Sequence, residues 1–257
     1  MGNCTTIVYD CIPELDKPIL IEGLPGVGNV GKIAADFLAE KLNAKRFATV
    51  YSDSFPPQVM LDSDCVIDMA CNELYYVNDV NGKDIIFLLG EYQGTTPEGQ
   101  YLICEDLMKD VFIRMDVSKM ITLGGYGTGK MTDTPRVLGA VSDIDMKVDL
   151  QDHGVIFSPG EPAGGIVGAS ALLVGLGKIY GIPSVCLMGE TSGYFVDHKS
   201  GIALLKVLKS IIGIELDHAE LDSKCQQIDE LTAKVKEMEA EQQKTADSVI
   251  MKELVLQ

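Results

Sequence analysis

Short apolar runs alternate with helical patterns through most of the chain, and this alternation predicts the fold. Helical spacing of apolar residues covers about 29–42, 98–115, 166–180 and 200–212. Apolar strands separated by helices are typical of a parallel sheet covered on both faces. We therefore predict an α/β fold, a three-layer sandwich with a mostly parallel sheet. The runs of strand length are PILIEG, RFATVYSD, CVIDMA, ELYYVND, DIIFLLGE, KMITLGG, RVLGAVS, HGVIFS and SVCLMGE.

The pattern changes beyond residue 215. From Asp217 to about Lys244 the chain is rich in Glu, Gln, Lys and Asp, and it contains no proline or glycine. Apolar residues spaced three or four apart predict a solvated helix with one narrow apolar stripe. The stripe packs either against its own domain or against another subunit. We expect two regions, an α/β domain over 1–215 and an acidic C-terminal helix with an apolar tail over 216–257.

The charge of the chain narrows its possible partners. Its 38 acidic and 21 basic residues give a net charge of −17, which repels phosphate backbones and anionic lipid. The longest apolar run, from Ala163 to Gly177, is shorter than the ~20 residues that span a bilayer. We therefore expect no nucleic-acid partner and no membrane partner.

The cysteines and the first residues of the chain bear on its compartment. Seven cysteines are scattered and never form a C-x-x-C pair, so we predict neither a disulfide framework nor a zinc site. The first residues lack the basic and apolar regions of a signal peptide. These features predict a cytoplasmic protein without a bound metal.

A glycine-rich segment, LPGVGNVGK at 24–32, joins a predicted strand to a predicted helix, and we call it the glycine loop. It contains most of the phosphate-loop pattern G-x-x-x-x-G-K. That pattern needs Ser or Thr after the lysine to hold magnesium, whereas Lys32 is followed by Ile33. Because this metal ligand is missing, we do not favour nucleotide hydrolysis.

The glycine loop also fits the dinucleotide fingerprint. Gly26, Gly28 and Gly31 have G-x-G-x-x-G spacing, and Asp53 ends the next predicted strand, where such folds place the ribose-binding acid. No histidine or lysine stands in an obvious hydride-transfer position. The alternative is that the glycines allow a tight turn and close packing of a helix on the sheet, and we favour this structural interpretation.

Carboxylates and glycines also follow several predicted strands. The carboxyl ends of parallel strands meet at one edge of a sheet, where ligands usually bind. Three carboxylates there would bind a hard cation or act as acid and base. Alternatively, each one caps a helix or a loop, which we favour. The candidate crevice comprises Glu22, Gly26, Gly28, Gly31, Glu91, Gly125 and Glu190.

Nucleophilic catalysis has little support in the sequence. The segment around Ser170 lacks the second glycine of a nucleophile elbow and lies inside a helical run. The three histidines are far apart in the sequence, and none of them lies beside a plausible nucleophile. They are His153, His198 and His218. We therefore predict no catalytic residue.

Several motifs together resemble the proteasome assembly chaperone family, specifically its chaperone-2 branch and the archaeal homologues. The family pattern E-G-x-P-G-x-G-x-x-G opens the domain, a Pro-Pro pair follows the second strand, and G-E-x-Q and L-G-G close later strands. The resemblance covers roughly residues 18–215. The matching positions are Glu22–Gly31, Pro56, Pro57, Gly90–Gln93 and Leu123–Gly125.

The resemblance implies a Rossmann-like sandwich, similar in shape to nucleoside phosphorylases, that has no established catalytic activity or cofactor and binds proteasome subunits. It also implies a homo-oligomer whose C-terminal tails reach pockets between proteasome α subunits through a terminal hydrophobic-Tyr-any tripeptide. This chain keeps the hydrophobic residue and has leucine in place of tyrosine. The expected partner-binding residues are Leu254, Val255, Leu256 and Gln257.

The sequence thus predicts a non-enzymatic, cytoplasmic homo-oligomer that binds proteasome α subunits as an assembly chaperone. One alternative is an enzyme that uses the candidate crevice on a nucleotide or a phosphorylated substrate. A second alternative is an oligomeric scaffold without proteasome contact. For the tail, the alternative to recognition is that it folds back onto its own domain or onto a sister subunit.

Overall fold

A mixed eight-stranded sheet forms the centre of the protein in a computed structural model, which describes residues 5–215. The strand order is β1-β3-β6-β7-β2-β8-β10-β9, and β4 and β5 form a separate hairpin. The strands are β1 (Thr5–Tyr9), β2 (Ile19–Gly23), β3 (Lys45–Ser52), β4 (Val59–Leu61), β5 (Ile67–Met69), β6 (Asn72–Val80), β7 (Lys83–Gly90), β8 (Lys119–Gly127), β9 (Val137–Val141) and β10 (Ser184–Thr191).

Two helical layers cover the sheet, so the predicted three-layer α/β fold is confirmed. Helices α1 and α5 pack together on one face, and α2 and α4 pack together on the other. Two residues of β2 show the two faces, because Leu20 joins the core under α2 and α4 whereas Gly23, an odd number of positions further on, approaches Ala35 of α1. The helices are α1 (Val30–Lys41), α2 (Pro97–Leu107), α3 (Met146–Asp152), α4 (Ala169–Tyr180) and α5 (His198–Ile212).

Local signals in the sequence begin and end these helices. The Thr96 hydroxyl accepts a hydrogen bond from the Gly99 N–H at 3.0 Å and caps α2, which has proline in its first turn. Asp197 caps α5 in the same way. Gly181 and Gly213 end α4 and α5 with positive φ, which glycine adopts without strain.

Parallel pairing is confined to the four central strands, β7-β2-β8-β10, and the outer strands pair antiparallel. One cause is the tight turn between β6 and β7. Asn81 and Gly82 both have positive φ there, as a type I′ hairpin turn requires. Asn-Gly between two apolar runs is a strong hairpin signal, and it turns the chain straight back onto β6 without a crossover helix.

Several segments differ from the predicted pattern, and β1 and β4 match none of the predicted runs. The run at 153–158 is not a strand and contributes one bridge, between Ile156 and Leu138 of β9. The run at 65–70 contains β5, which pairs with β4 outside the large sheet. Helix α3 was not predicted, because its seven residues are too short to show a clear helical period.

The acidic helix predicted from Asp217 to Lys244 and the tail residues Leu254, Val255, Leu256 and Gln257 lie outside the described residues. The boundary between the two predicted regions therefore stays a prediction. Among residues 5–215, no helix combines the length and the apolar composition that crossing a bilayer requires.

Candidate functional site

A cavity of about 490 Å³ opens at the carboxyl edge of β2 and β8, and we call it the glycine cavity. Three segments form most of its walls: the glycine loop, the end of β8, and the chain that enters α4. Gln93 and the β10 residues Cys186 and Met188 complete the lining. Of the candidate crevice residues, Gly26, Gly31 and Gly125 line it, whereas Glu22, Gly28, Glu91 and Glu190 do not. The structure therefore gathers three of the four glycines of the predicted crevice and none of its carboxylates.

Close packing explains most of these glycines. A Cβ atom on Gly31 would lie 2.2 Å from the Leu123 carbonyl oxygen, and one on Gly125 would lie 2.1 Å from the Val27 carbonyl oxygen. Gly28 has a φ of 64°, a left-handed conformation that glycine favours. Gly26 differs, because a Cβ atom there would meet nothing within 4 Å. The missing Gly26 side chain leaves the cavity open.

The phosphate-loop interpretation requires Lys32 to face a phosphate, but its ammonium group is already occupied. Its Nζ lies 2.7 Å from an Asp36 carboxylate oxygen and 2.8 Å from one of Glu91. Burial lowers the pKa of Lys32, and hydrogen bonds to these two carboxylates outweigh it, so the pKa is raised overall. Glu91 therefore serves as an ion-pair partner of Lys32, which lies on α1.

The strand order separates Asp53 from the glycine loop. In the dinucleotide-binding fold, the ribose-binding acid follows a strand adjacent to the first one. Here β2 is flanked by β7 and β8, and two strands lie between it and β3, which precedes Asp53. The fingerprint of the glycine loop is therefore not completed by its predicted acid.

Glu190 joins the end of β10 to the start of β9. It accepts hydrogen bonds from the Arg136 guanidinium and from the Arg136 backbone N–H, and Arg136 also pairs with Glu161 at 3.3 Å. The hydrogen bond from the guanidinium lowers the pKa of Glu190. Glu190 is thus a structural ion-pair partner of Arg136 and not a free acid or base.

Glu22 is fully buried between the sheet and the α2–α4 layer. Its Oε1 accepts a hydrogen bond from the Leu24 N–H at 3.0 Å, while Oε2 has no hydrogen-bond partner among the described residues. Ser170 lies beside the carboxyl group, but its hydroxyl donates to the Leu123 carbonyl oxygen at 3.1 Å. One carboxyl oxygen is therefore buried without compensation.

Burial raises the pKa of Glu22 to about 7, and polar groups of Leu24, Ser170 and Leu123 oppose that shift only in part. Leu24, Ser170 and Leu123 also line the glycine cavity. Because Oε2 is inaccessible to solvent, Glu22 lies under the floor of the cavity and does not reach into it.

Together these positions do not make a catalytic or metal centre. Each of the three carboxylates has its own surroundings: Glu91 pairs with Lys32, Glu190 pairs with Arg136, and Glu22 is buried. Nowhere in residues 5–215 do three or more His, Cys, Asp or Glu side chains come together as a metal site would require.

Gln93 is a site residue that pattern reasoning missed. Its amide group donates to the Pro25 carbonyl oxygen at 2.5 Å and accepts from the Ala169 N–H at 2.9 Å. It therefore ties the glycine loop to the first residue of α4. The only signal for Gln93 was its place in the family motif Gly90–Gln93, because an isolated glutamine after a strand carries no chemistry by itself.

The family model described as PAC2 matches residues 20–236. The chain belongs to the PAC2 family. A relative in this family, the uncharacterized protein MJ1210 of Methanocaldococcus jannaschii, is 35% identical over 237 residues, which cover 92% of this chain and 90% of the relative.

Solved structures of PAC2-type proteins from Pyrococcus furiosus have the same fold. PbaB, an archaeal proteasome activator, has a TM-score of 0.83 and 36% identity, covering 90% of this chain and 98% of its own. PbaA, an archaeal homolog of proteasome-assembly chaperone, has a TM-score of 0.73 and 27% identity, covering 89% of this chain and 94% of its own. The predicted resemblance to the proteasome assembly chaperone family is confirmed.

Proposed function

We propose that this PAC2-family protein is a non-enzymatic, cytoplasmic homo-oligomer that assists proteasome assembly by binding proteasome α subunits. The observation that carries the proposal is the match to PbaB, with 36% identity across nearly the whole of both chains. An identity of that level over a continuous domain supports a shared type of partner as well as a shared fold. The match to PbaA also supports a proteasome-related partner, because PbaA is an archaeal homolog of proteasome-assembly chaperone.

The geometry of the carboxyl edge favours a binding protein over an enzyme. Glu91 and Glu190 are held in ion pairs, and Glu22 is sealed beneath the cavity floor. An acid or base catalyst must reach the atom whose proton it moves. Glu22 cannot do so from beneath the cavity floor, and Glu91 and Glu190 already pair with basic side chains. The proposal therefore includes no catalytic residue and no cofactor.

The proposed contact with the α subunits is the apolar tail, Leu254, Val255, Leu256 and Gln257. These residues lie outside the described part of the chain, so the proposal rests on the sequence and on the family. Apolar side chains concentrated in a short segment bind well in a pocket of a partner. Several such tails on one oligomer would bind together, so that weak single contacts add up to tight attachment.

Deletion of Leu254–Gln257 tests this proposal. Immobilised proteasome α subunits should capture the full chain, and the deletion should abolish capture while leaving the oligomer size and the melting temperature unchanged. Leu256→Tyr should strengthen capture, because it restores the residue type expected from the family. Val148→Ser, an exposed position on α3, is the matched control and should bind like the full chain.

Two results would contradict parts of this proposal. If the deletion lowers the melting temperature or dissociates the oligomer, the tail is a structural element. If the full chain fails to bind α subunits at all, the proteasome partner is wrong, and the scaffold alternative gains support.

A further inference from the structure

The hairpin of β4 and β5, with the turn that joins them, projects from the described part of the chain, and we call it the hairpin arm. Every residue from Pro57 to Met69 is exposed. In the antiparallel register, Val59 lies opposite Met69 and Leu61 lies opposite Ile67. Side chains of directly paired residues point to the same face of a hairpin. One face of the arm is therefore apolar throughout.

Within residues 5–215, nothing covers this apolar face. Its four side chains are between 47% and 65% exposed, and the arm forms no hydrogen-bonded ladder with the large sheet. A two-stranded hairpin alone is marginally stable in water, and a contiguous exposed apolar patch usually marks an interface. The arm therefore needs a partner surface.

A complementary surface lies between α2 and α4, and we call it the helix groove. It has a volume of about 860 Å³. Ala171 and Gly175 are small residues along its α4 side, and a Cβ atom on Gly175 would meet nothing within 4 Å. Tyr101, Val167 and Ile179 are exposed groove residues. The groove is thus an open apolar trough.

The base of the hairpin arm is fixed beside one end of the helix groove. The Ser54 carbonyl oxygen, just before the arm, accepts hydrogen bonds from the Thr95 N–H at 2.9 Å and the Thr95 hydroxyl at 3.1 Å. Gln58 donates to the Tyr92 hydroxyl at 3.3 Å. Thr95 is itself a groove residue. The arm therefore begins beside the groove.

We propose that the hairpin arm of one chain packs into the helix groove of a second copy of this chain. This inference rests on the homo-oligomer of the proposed function and names the surface through which the copies meet. Because the arm begins beside the groove, a two-fold axis between two chains can form both contacts at once. Each chain then covers its partner's arm and has its own groove filled.

The size of the surface fits a stable contact. Fifteen residues line the helix groove, and six exposed apolar residues lie on the arm. A standard protein interface uses about 20–30 residues on each side. The strongly apolar character is typical of a permanent contact between copies, since obligate interfaces are more apolar than transient ones.

Charge is also complementary. The turn of the arm carries the exposed residues Asp62 and Asp64. Lys178 is exposed on α4 next to the groove residue Ile179, and it has no ion-pair partner among residues 5–215. In a chain of net charge −17, an unpaired lysine beside the groove favours approach of an acidic turn and helps to set the orientation.

Oligomer size measured by light scattering and sedimentation tests the inference. Leu61→Asp on the arm and Gly175→Phe in the groove should each weaken self-association at least tenfold. The first places a charge in the apolar contact and the second fills the space that the arm would occupy. Val148→Asp adds the same charge at an exposed apolar position of α3 and should leave the oligomer intact. Circular dichroism should show all three variants folded.

Cross-linking tests the contact directly. Cys65 is an exposed thiol in the turn of the arm. A short thiol cross-linker should join it to the new cysteine of Lys178→Cys in a second, differently tagged copy, and Cys65→Ser should remove that product. Cross-links found only within one chain would overturn the inference.

Other outcomes separate the inference from the proposed function. If Leu61→Asp and Gly175→Phe leave the oligomer unchanged, the inference fails and the homo-oligomer stands. If they leave it unchanged but abolish α-subunit binding, the arm contacts the proteasome, which overturns the inference and supports the proposed partner. A full chain that is monomeric at micromolar concentration overturns both the inference and the proposed homo-oligomer.

Discussion

The glycine loop packs tightly against the protein's own backbone at Gly31, whereas the hairpin arm has no cover among residues 5–215. At Gly31 the loop comes so close to β8 that a single methyl group would collide with the Leu123 carbonyl oxygen. On the arm, by contrast, every side chain from Pro57 to Met69 is exposed. The first region uses its residues for internal packing, and the second leaves apolar side chains for another molecule.

This difference separates motif content from function. The glycine loop fits two nucleotide-binding signatures, yet its lysine is held in ion pairs and its expected acid lies beyond two intervening strands. The arm fits no signature, yet its exposed apolar face requires a partner. In this protein the glycine loop, which has the stronger motif, serves internal packing. The hairpin arm, which has no motif, is the candidate contact surface.

The largest expected effect is the loss of stability in Gly31→Ala. Alanine is normally better than glycine inside a helix, but here its Cβ would lie 2.2 Å from backbone, so α1 must shift away from β8. We expect a loss of more than about 3 kcal/mol in the free energy of unfolding, measured by urea denaturation. Gly26→Ala is the matched control and should change stability by less than about 0.5 kcal/mol.

If Gly31→Ala and Gly26→Ala behave alike, close packing is not the role of Gly31. The contrast between the glycine loop and the hairpin arm would then fail at its first step. A ligand-binding interpretation of the loop would have to be considered again.

The next effect concerns the carboxyl group of Glu22 beneath the loop. Its pKa is raised from the usual 4.5 to about 7 in the folded protein. Between these values the folded state holds a proton that the unfolded chain has released, so stability falls as pH rises from about 4.5 to 7 and is level above. Glu22→Gln should remove that fall and should stabilise the protein at pH 8 by about 3 kcal/mol.

Urea denaturation at a series of pH values measures this effect. Gly26→Ala should keep the slope of the unmodified protein, because it leaves Glu22 in place. A slope that persists unchanged in Glu22→Gln would show that another group causes it, and Glu22 would then be ionised or solvated in the folded state.

The smallest effect is expected from a substitution on the hairpin arm. Leu61→Ser, studied at a dilution where the chain is monomeric, should change the free energy of unfolding by less than about 0.5 kcal/mol, since Leu61 is 65% exposed. Leu88→Ser on β7 is the contrasting core substitution, because Leu88 is fully buried. A large loss in Leu61→Ser would mean that the arm packs on its own domain.

The layers and central strands were predictable because apolar periodicity depends on local sequence. The strand order was not, since nothing local shows that two strands separate β2 from β3, and this is why Asp53 was placed near the glycine loop. The Asn81–Gly82 pair is a local hairpin signal, but the turn was not among the predictions. The hairpin of β4 and β5 was partly visible as an apolar run, but its position outside the large sheet depends on tertiary packing.

The candidate site was predictable only as a location. Glu22, Glu91 and Glu190 do lie at or next to the ends of strands of one sheet, but successive side chains along a strand point to opposite faces. A carboxylate at a strand end therefore faces either helical layer or the edge, depending on register. Ion-pair partners such as Arg136, from a distant part of the chain, decide the rest.

The hydrogen bonds of Gln93 give the glycine cavity and the helix groove a common wall. One amide group holds the Pro25 carbonyl oxygen with its nitrogen and the Ala169 N–H with its oxygen. The cavity therefore cannot widen at this point without loosening the first turn of α4, and α4 cannot tilt outward without pulling on the loop. We therefore expect a molecule that separates α2 from α4 to strain these two hydrogen bonds and, through them, the glycine loop.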